Sequence, residues 1–202
     1  MTKNAAIFEK TYKNYLSQVS ALNVKSVAEK LGVQIFGSDI EIPFFNSNYR
    51  VSVDGITGPT GKEPVIEVCV VLCRYLIMAS EDKKDEMGWD AFRDFKNAGP
   101  LNVYFAKEVE RLITNRFSGN IKALEEACGR LGGSTPDAVF PYDFSMQFRV
   151  LPKLSILLLF NDADEEFSAN ASVLFQKGAD SYLDAECLAI VGSIFAGYLL
   201  KR

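Results

Sequence analysis

Between Leu154 and Phe175 the chain reads "LSILLLFNDADEEFSANASVLF", two apolar runs of strand length enclosing the four carboxylates Asp162, Asp164, Glu165 and Glu166. Short apolar runs bounded by polar residues are buried strands, and a polar stretch between two of them turns the chain back on itself. The pattern therefore predicts strands over Leu154 to Phe160 and Ala171 to Phe175, paired with the acidic turn at their end. A buried strand pair needs a cover, and most of the remaining sequence must supply it.

The rest of the chain offers that cover. Phe8, Tyr12, Tyr15, Leu16 and Val19 share one helical face, and a second short helix runs from a cap at Asn23 to a stop at Gly32. "SVAEKLGV" resembles the first half of a helix-turn-helix, but the strand-like "VQIFGSDIEIPFF" follows where a recognition helix would be needed. "IEIPFFNSNYRVSV" reads as a β-hairpin turning at Asn46-Ser47-Asn48. Pro64 suits the first turn of a helix, and Val65 to Ser80 is apolar on most sides except for Glu67 and Arg74, as a central buried helix would be. After the charged loop "SEDKKDEMG", helices are expected from about Leu101 to Phe117 and from Asn120 to Leu131, the latter ended by Gly132-Gly133. "MQFRVLP" adds a third C-terminal strand, and a capped helix follows from Asp184 to Lys201. This order predicts one α+β domain over residues 1–202, with an N-terminal helical pair and a mostly antiparallel sheet packed with helices on one face.

Several function classes are excluded. There is no histidine among the 202 residues, which removes Ser-His-Asp and Cys-His hydrolysis, His-ligated metals and imidazole proton shuttling. With 22 basic against 26 acidic residues and no basic run beyond Lys83-Lys84, counterion release has little to work with, so nucleic acid is not an expected partner. The N-terminus lacks a signal-peptide core, and the longest apolar run, Val65 to Ala79, is broken by two charges, so no membrane is expected either. Cys69, Cys73, Cys128 and Cys187 show no disulfide spacing and fall on apolar helical stripes, which predicts reduced, buried thiols and a cytoplasmic protein.

Four motifs invite a chemical reading. "GITGPTGKE" ends in Gly-Lys near a helix start, but Ile56 stands where a P-loop needs Gly and Glu63 where it needs Ser or Thr. Cys69 and Cys73, four apart on a helix, are too few for a metal cluster without Cys-x-x-Cys. Asp162, Asp164 and Glu166 alternate and could offer oxygens to Mg²⁺ or Ca²⁺. As an EF-hand loop the stretch fails, with Phe167 and Val173 in place of the required Gly and Glu, and a solvated turn that keeps the sheet end soluble is the favoured reading. "WDAFRDF" sets Trp89, the single Trp, beside Arg93; a guanidinium among aromatics either recognises an anion or pairs with a structural acid, here Glu165 or Glu166.

The words "IPFFNSNYRV", "WDAFRDFKNAGPLNVYFA", "LPKLSILLLFNDADEEFSANASVLF" and "YLDAECLAIVG" together resemble a prokaryotic family of unknown activity, domain of unknown function 3786, across nearly the whole chain. Some members carry an N-terminal cysteine-rich iron-sulfur module, which implies a setting in anaerobic metallocofactor or corrinoid metabolism. No Cys-x-x-Cys occurs in this sequence, so cluster binding does not carry over, and the resemblance implies a stand-alone version of the domain. The expected function is a binding or accessory domain without cofactor that recognises an unidentified protein or small ligand through Trp89, Arg93, Glu165 and Glu166. The alternative is a divalent-metal-dependent hydrolase or transferase using Asp162, Asp164 and Glu166 with Mg²⁺ or Ca²⁺.

Overall fold

The computed structural model describes residues 3–79 and 87–201, so the Lys83-Lys84 pair and most of the charged loop lie outside the described residues. Two helices open it. Helix α1 (Lys3–Ser20) buries Tyr12 and Val19, and α2 (Val24–Leu31) is bounded as its sequence demands. The Asn23 side chain accepts from Ser26 N at 3.1 Å at its start, and Gly32 takes up the left-handed conformation at its end.

Where one sheet was expected there are two, each of four antiparallel strands. The first is built from β1 (Gln34–Phe36), β2 (Asp39–Phe44), β3 (Ser47–Val51) and β4 (Ile56–Thr57) in that spatial order. Its β2–β3 hairpin turns one residue earlier than expected, with Phe44 opposite Ser47, so that Phe45 and Asn46 form the tip and Ser47 and Asn48 belong to the strand. The second contains β5 (Trp89–Ala91), β6 (Phe144–Leu151), β7 (Leu154–Asn161) and β8 (Asn170–Gln176), in the order β5-β8-β7-β6. The pairing of Phe160 with Ala171 and of Ile156 with Phe175 confirms the strand pair around the acidic turn.

Seven of the eight β7 residues are buried, on both faces of the strand. The expectation of a sheet covered on one face therefore needs correcting at its central strand. Ile156, Leu158 and Phe160 belong to the main core, while Leu157 and Leu159 are buried on the opposite side. The main core is one continuous cluster holding side chains from both sheets and from the helices. Its centre is α3 (Ile66–Ile77), in which Cys69, Cys73, Leu72 and Tyr75 are inaccessible to solvent. Pro64 precedes the Val65 cap of this helix and does not enter its first turn.

The expected helix from Leu101 to Phe117 is present but not uniform. It is α4 (Asn102–Phe105), a π-helical segment (Ala106–Glu110) and α5 (Arg111–Phe117), followed by α6 (Ile121–Arg130), which is capped by Asn120. The last helix, α7 (Ala185–Leu200), begins at Asp184, whose carboxylate does two jobs. One oxygen accepts from Cys187 N at 2.9 Å as the helix cap, and the other meets Arg74 Nε of α3 at 2.7 Å.

Candidate functional site

The Trp-Arg segment supplies one wall of a groove. After the short strand β5, Phe92 turns into the core and the next residue, Arg93, turns out, its side chain 77% exposed. Asp94 fixes this turn: one of its oxygens accepts from Ala91 N at 3.2 Å and the other lies 4.0 Å from Arg93 Nε. The expected pairing of Arg93 with Glu165 or Glu166 is not made, because those carboxylates are exposed in the turn before β8. That turn is held at the far end of α5 through Gly119, about 12 Å along the helix from Glu110.

The opposite wall is the π-helical segment. In a π turn each N–H reaches back one residue further than in an α-helix, so the helix widens and the side chains after it are rotated out of the 3.6-residue pattern. Phe105, just before the segment, stacks on Phe92 with ring centroids 4.3 Å apart and planes 7° from parallel. Glu110, at its end, turns toward the second sheet and accepts from Val173 N of β8 at 3.1 Å. Thr114 supports the distortion by donating its hydroxyl to the Glu110 carbonyl at 2.9 Å.

Between the walls lies a groove of about 290 Å³, lined by Ala91, Phe92, Arg93, Asn102, Val103, Phe105, Ala106 and Glu110. Its electrostatics are unsettled. Burial pushes the Glu110 carboxyl above its ordinary value, while the Val173 N–H and the Arg93 charge pull it back down. Arg93 and Glu110 feel each other across the groove but form no ion pair among the described residues. Asn102 adds a buried Oδ1 that has no hydrogen-bond donor there. A buried acceptor without a donor costs about 1–3 kcal/mol, and this one is closed off behind the groove wall.

The other expected site residues fall elsewhere. Trp89 pairs with Gln176 at the start of β5 and does not line the groove, which begins two residues later at Ala91. Glu165 and Glu166 are exposed, do not line the groove and form no ion pair with Arg93 among the described residues. Asp162 and Asp164 do share a cavity of about 510 Å³ with Asp143 and Asn161, but Glu166 does not line it. One oxygen of each, Oδ1, binds the chain itself. Asp162 accepts from Gly119 N and Ala163 N, and Asp164 from Glu166 N and Phe167 N at 2.8 and 2.6 Å. Those two N–H groups hold the Asp164 carboxyl below the usual carboxylate range. Among the described residues no group of three or more Cys, Asp or Glu side chains is arranged to hold a metal ion. All four cysteines are free thiols in the core, and burial pushes those of Cys69, Cys73 and Cys128 up to about 12.

Glu110 and Asn102 escaped the sequence reading. Glu110 stands three residues before Ile113 and seven before Phe117, both fully buried, and a carboxylate on that apolar face was the legible signal. For Asn102 there was none.

Fold and groove together define an α+β domain of two antiparallel sheets with a small cleft, apolar but for Arg93, Asn102 and Glu110, between a sheet edge and a distorted helix. The chain belongs to the family described as a domain of unknown function, DUF3786, whose model matches residues 23–198, from the cap of α2 to near the end of α7. No curated protein and no solved structure matches it. Among the described residues no helix is long and apolar enough to cross a membrane.

Proposed function

We propose that the chain is a binding or accessory domain, without catalysis of its own, that takes a small polar ligand in the groove between Arg93 and Glu110. The observation that carries this reading is the unmet polarity of one cleft. It holds two opposite charges, Arg93 and Glu110, that do not pair with each other among the described residues. Native proteins satisfy such groups unless something else does so on binding. A π-helical segment in one wall supports the same reading, since such distortions recur at functional sites.

The size of the cleft bears on what it takes. At about 290 Å³ it stands at the lower limit of ligand pockets, so a small metabolite fits and a corrinoid does not. If the metallocofactor setting implied by the family resemblance holds, the domain serves it by sensing or delivering a small molecule and not by carrying the corrinoid itself.

The test is an amide NMR titration of the ¹⁵N-labelled chain with pooled polar metabolites. Shifts gathered on residues 91–94, 102–110 and 173 are expected. Shifts confined to the turn at residues 161–169 or to the first sheet would overturn the assignment of the groove.

A further inference from the structure

We infer that the ligand of this groove is a small zwitterion of the amino-acid class, its ammonium set against Glu110 and its carboxylate against Arg93. The inference rests on the binding reading above and names the chemistry that the two walls select.

The two charges are kept apart by local contacts. Glu110 is tethered to the second sheet by Val173 N, and Arg93 is drawn toward Asp94 through its Nε. Among the described residues Arg93 engages an acid only through this edge of its guanidinium, at 4.0 Å, which leaves the donors on its terminal nitrogens to a planar carboxylate. Glu110 has one oxygen engaged by Val173 N and is partly desolvated, which penalises its charge until a cation arrives. A simple anion would meet Arg93 but lie against the like charge of Glu110, and a simple cation would face the reverse. A molecule carrying both charges a few bonds apart answers both walls at once.

The remaining features agree with that choice. An ammonium brings three donors, enough to serve the second oxygen of Glu110 and solvent together. The stacked rings of Phe92 and Phe105 give the carbon skeleton an apolar backing. A cleft of about 290 Å³ limits that skeleton to a small one.

The experiment is calorimetric titration of the full chain with each of the twenty L-α-amino acids, β-alanine and γ-aminobutyrate. The best binder is then compared with its analogues lacking the amino group or the carboxylate. We expect at least one zwitterion to bind, each truncated analogue to bind about tenfold or more weakly, and Arg93→Gln and Glu110→Gln each to cause a similar loss. Glu110→Gln keeps the acceptor for Val173 N, and circular dichroism of both variants verifies that they fold. Binding of a truncated analogue as tight as that of its parent would overturn the zwitterion while leaving the groove as a binding site. Amino-acid binding untouched by both substitutions would also overturn it, by placing the ligand elsewhere. If no zwitterion binds, the inference fails; metabolite-induced shifts at residues 102–110 would then still uphold the binding reading, and their absence would remove both.

Discussion

Glu110 is the residue at which stability and binding pull in opposite directions. Burial raises its carboxyl above the ordinary 4.5, so the folded chain holds this proton more tightly than the unfolded chain does. A group raised in this way contributes stability below its unfolded value, and that contribution is lost as pH rises through the folded one. At neutral pH the protein therefore carries the cost of a half-buried charge. Glu110→Gln removes the charge and keeps the acceptor for Val173 N, so it is expected to raise the melting temperature at pH 7, with the gain shrinking toward pH 4. Thermal melts of the two proteins across that range check the sign. A variant less stable at pH 7 would mean that the attraction of Arg93 outweighs desolvation. Asp164 runs the other way: its local N–H contacts favour the charged form, so what it contributes to the acidic turn is present above the ordinary carboxylate value and is lost in acid. Residues that cost stability in place are the usual mark of a functional site, and Glu110 fits that description where Asp164 does not.

At the scale of the element, the helix of residues 102–117 depends on a glycine in another helix. Gly192 of α7 lies so close to Phe105 that a Cβ placed there would collide with the ring atom Cε2. Phe105 in turn backs Phe92, and so the groove. Gly192→Ala is expected to destabilise by about 1–3 kcal/mol through overpacking and to displace the Phe105 ring. Gly197, on an exposed turn of the same helix, has nothing within 4 Å of such a Cβ, so Gly197→Ala is expected to stabilise by about 0.5–1 kcal/mol. Urea unfolding of the two variants gives both signs, and a neutral Gly192→Ala would show that the helices can separate freely. This dependence explains what could be read in the sequence. Caps are local chemistry, so Asn23, Gly32, Asn120 and Asp184 marked helix ends correctly before any tertiary contact was known. The strand pair around the acidic turn was legible for the same reason. The π-helical segment was not, because no residue in "AKEVE" breaks a helix, and its packing against α7 and β8 is tertiary. The short strand β5 was hidden too, since three residues carry no period, and the separation of Arg93 from Glu165 and Glu166 is a distance that no local pattern encodes.

At the scale of the whole molecule, the question is what makes two sheets behave as one body, and the tip of the β2–β3 hairpin gives the answer. Phe45 has a φ of 51°, a left-handed conformation that an aromatic residue adopts only when its surroundings impose it. Those surroundings belong to the other half of the chain. Its N–H donates to Val150 O of β6 at 2.8 Å, and its ring lies parallel to Phe195 at 6.2 Å and edge-on to Tyr198 at 5.4 Å on α7. Beside it, Asn46 Nδ2 donates to Arg130 O at the end of α6, at 3.0 Å. The first sheet is thus bolted to the second sheet and to two helices by a two-residue turn. Phe45→Ala removes a buried ring and is expected to cost about 3–5 kcal/mol. Because both sheets feed one continuous core, unfolding of the native chain is expected to be a single transition. Trp89, the chain's one Trp, reports the second sheet by fluorescence, and amide exchange in β2 and β3 reports the first. In the native chain the two probes should yield the same unfolding free energy. In Phe45→Ala both should fall together if the sheets form one cooperative unit. A first sheet that opens alone, while Trp89 keeps its native signal, would show instead that the hairpin tip joins two separately stable parts.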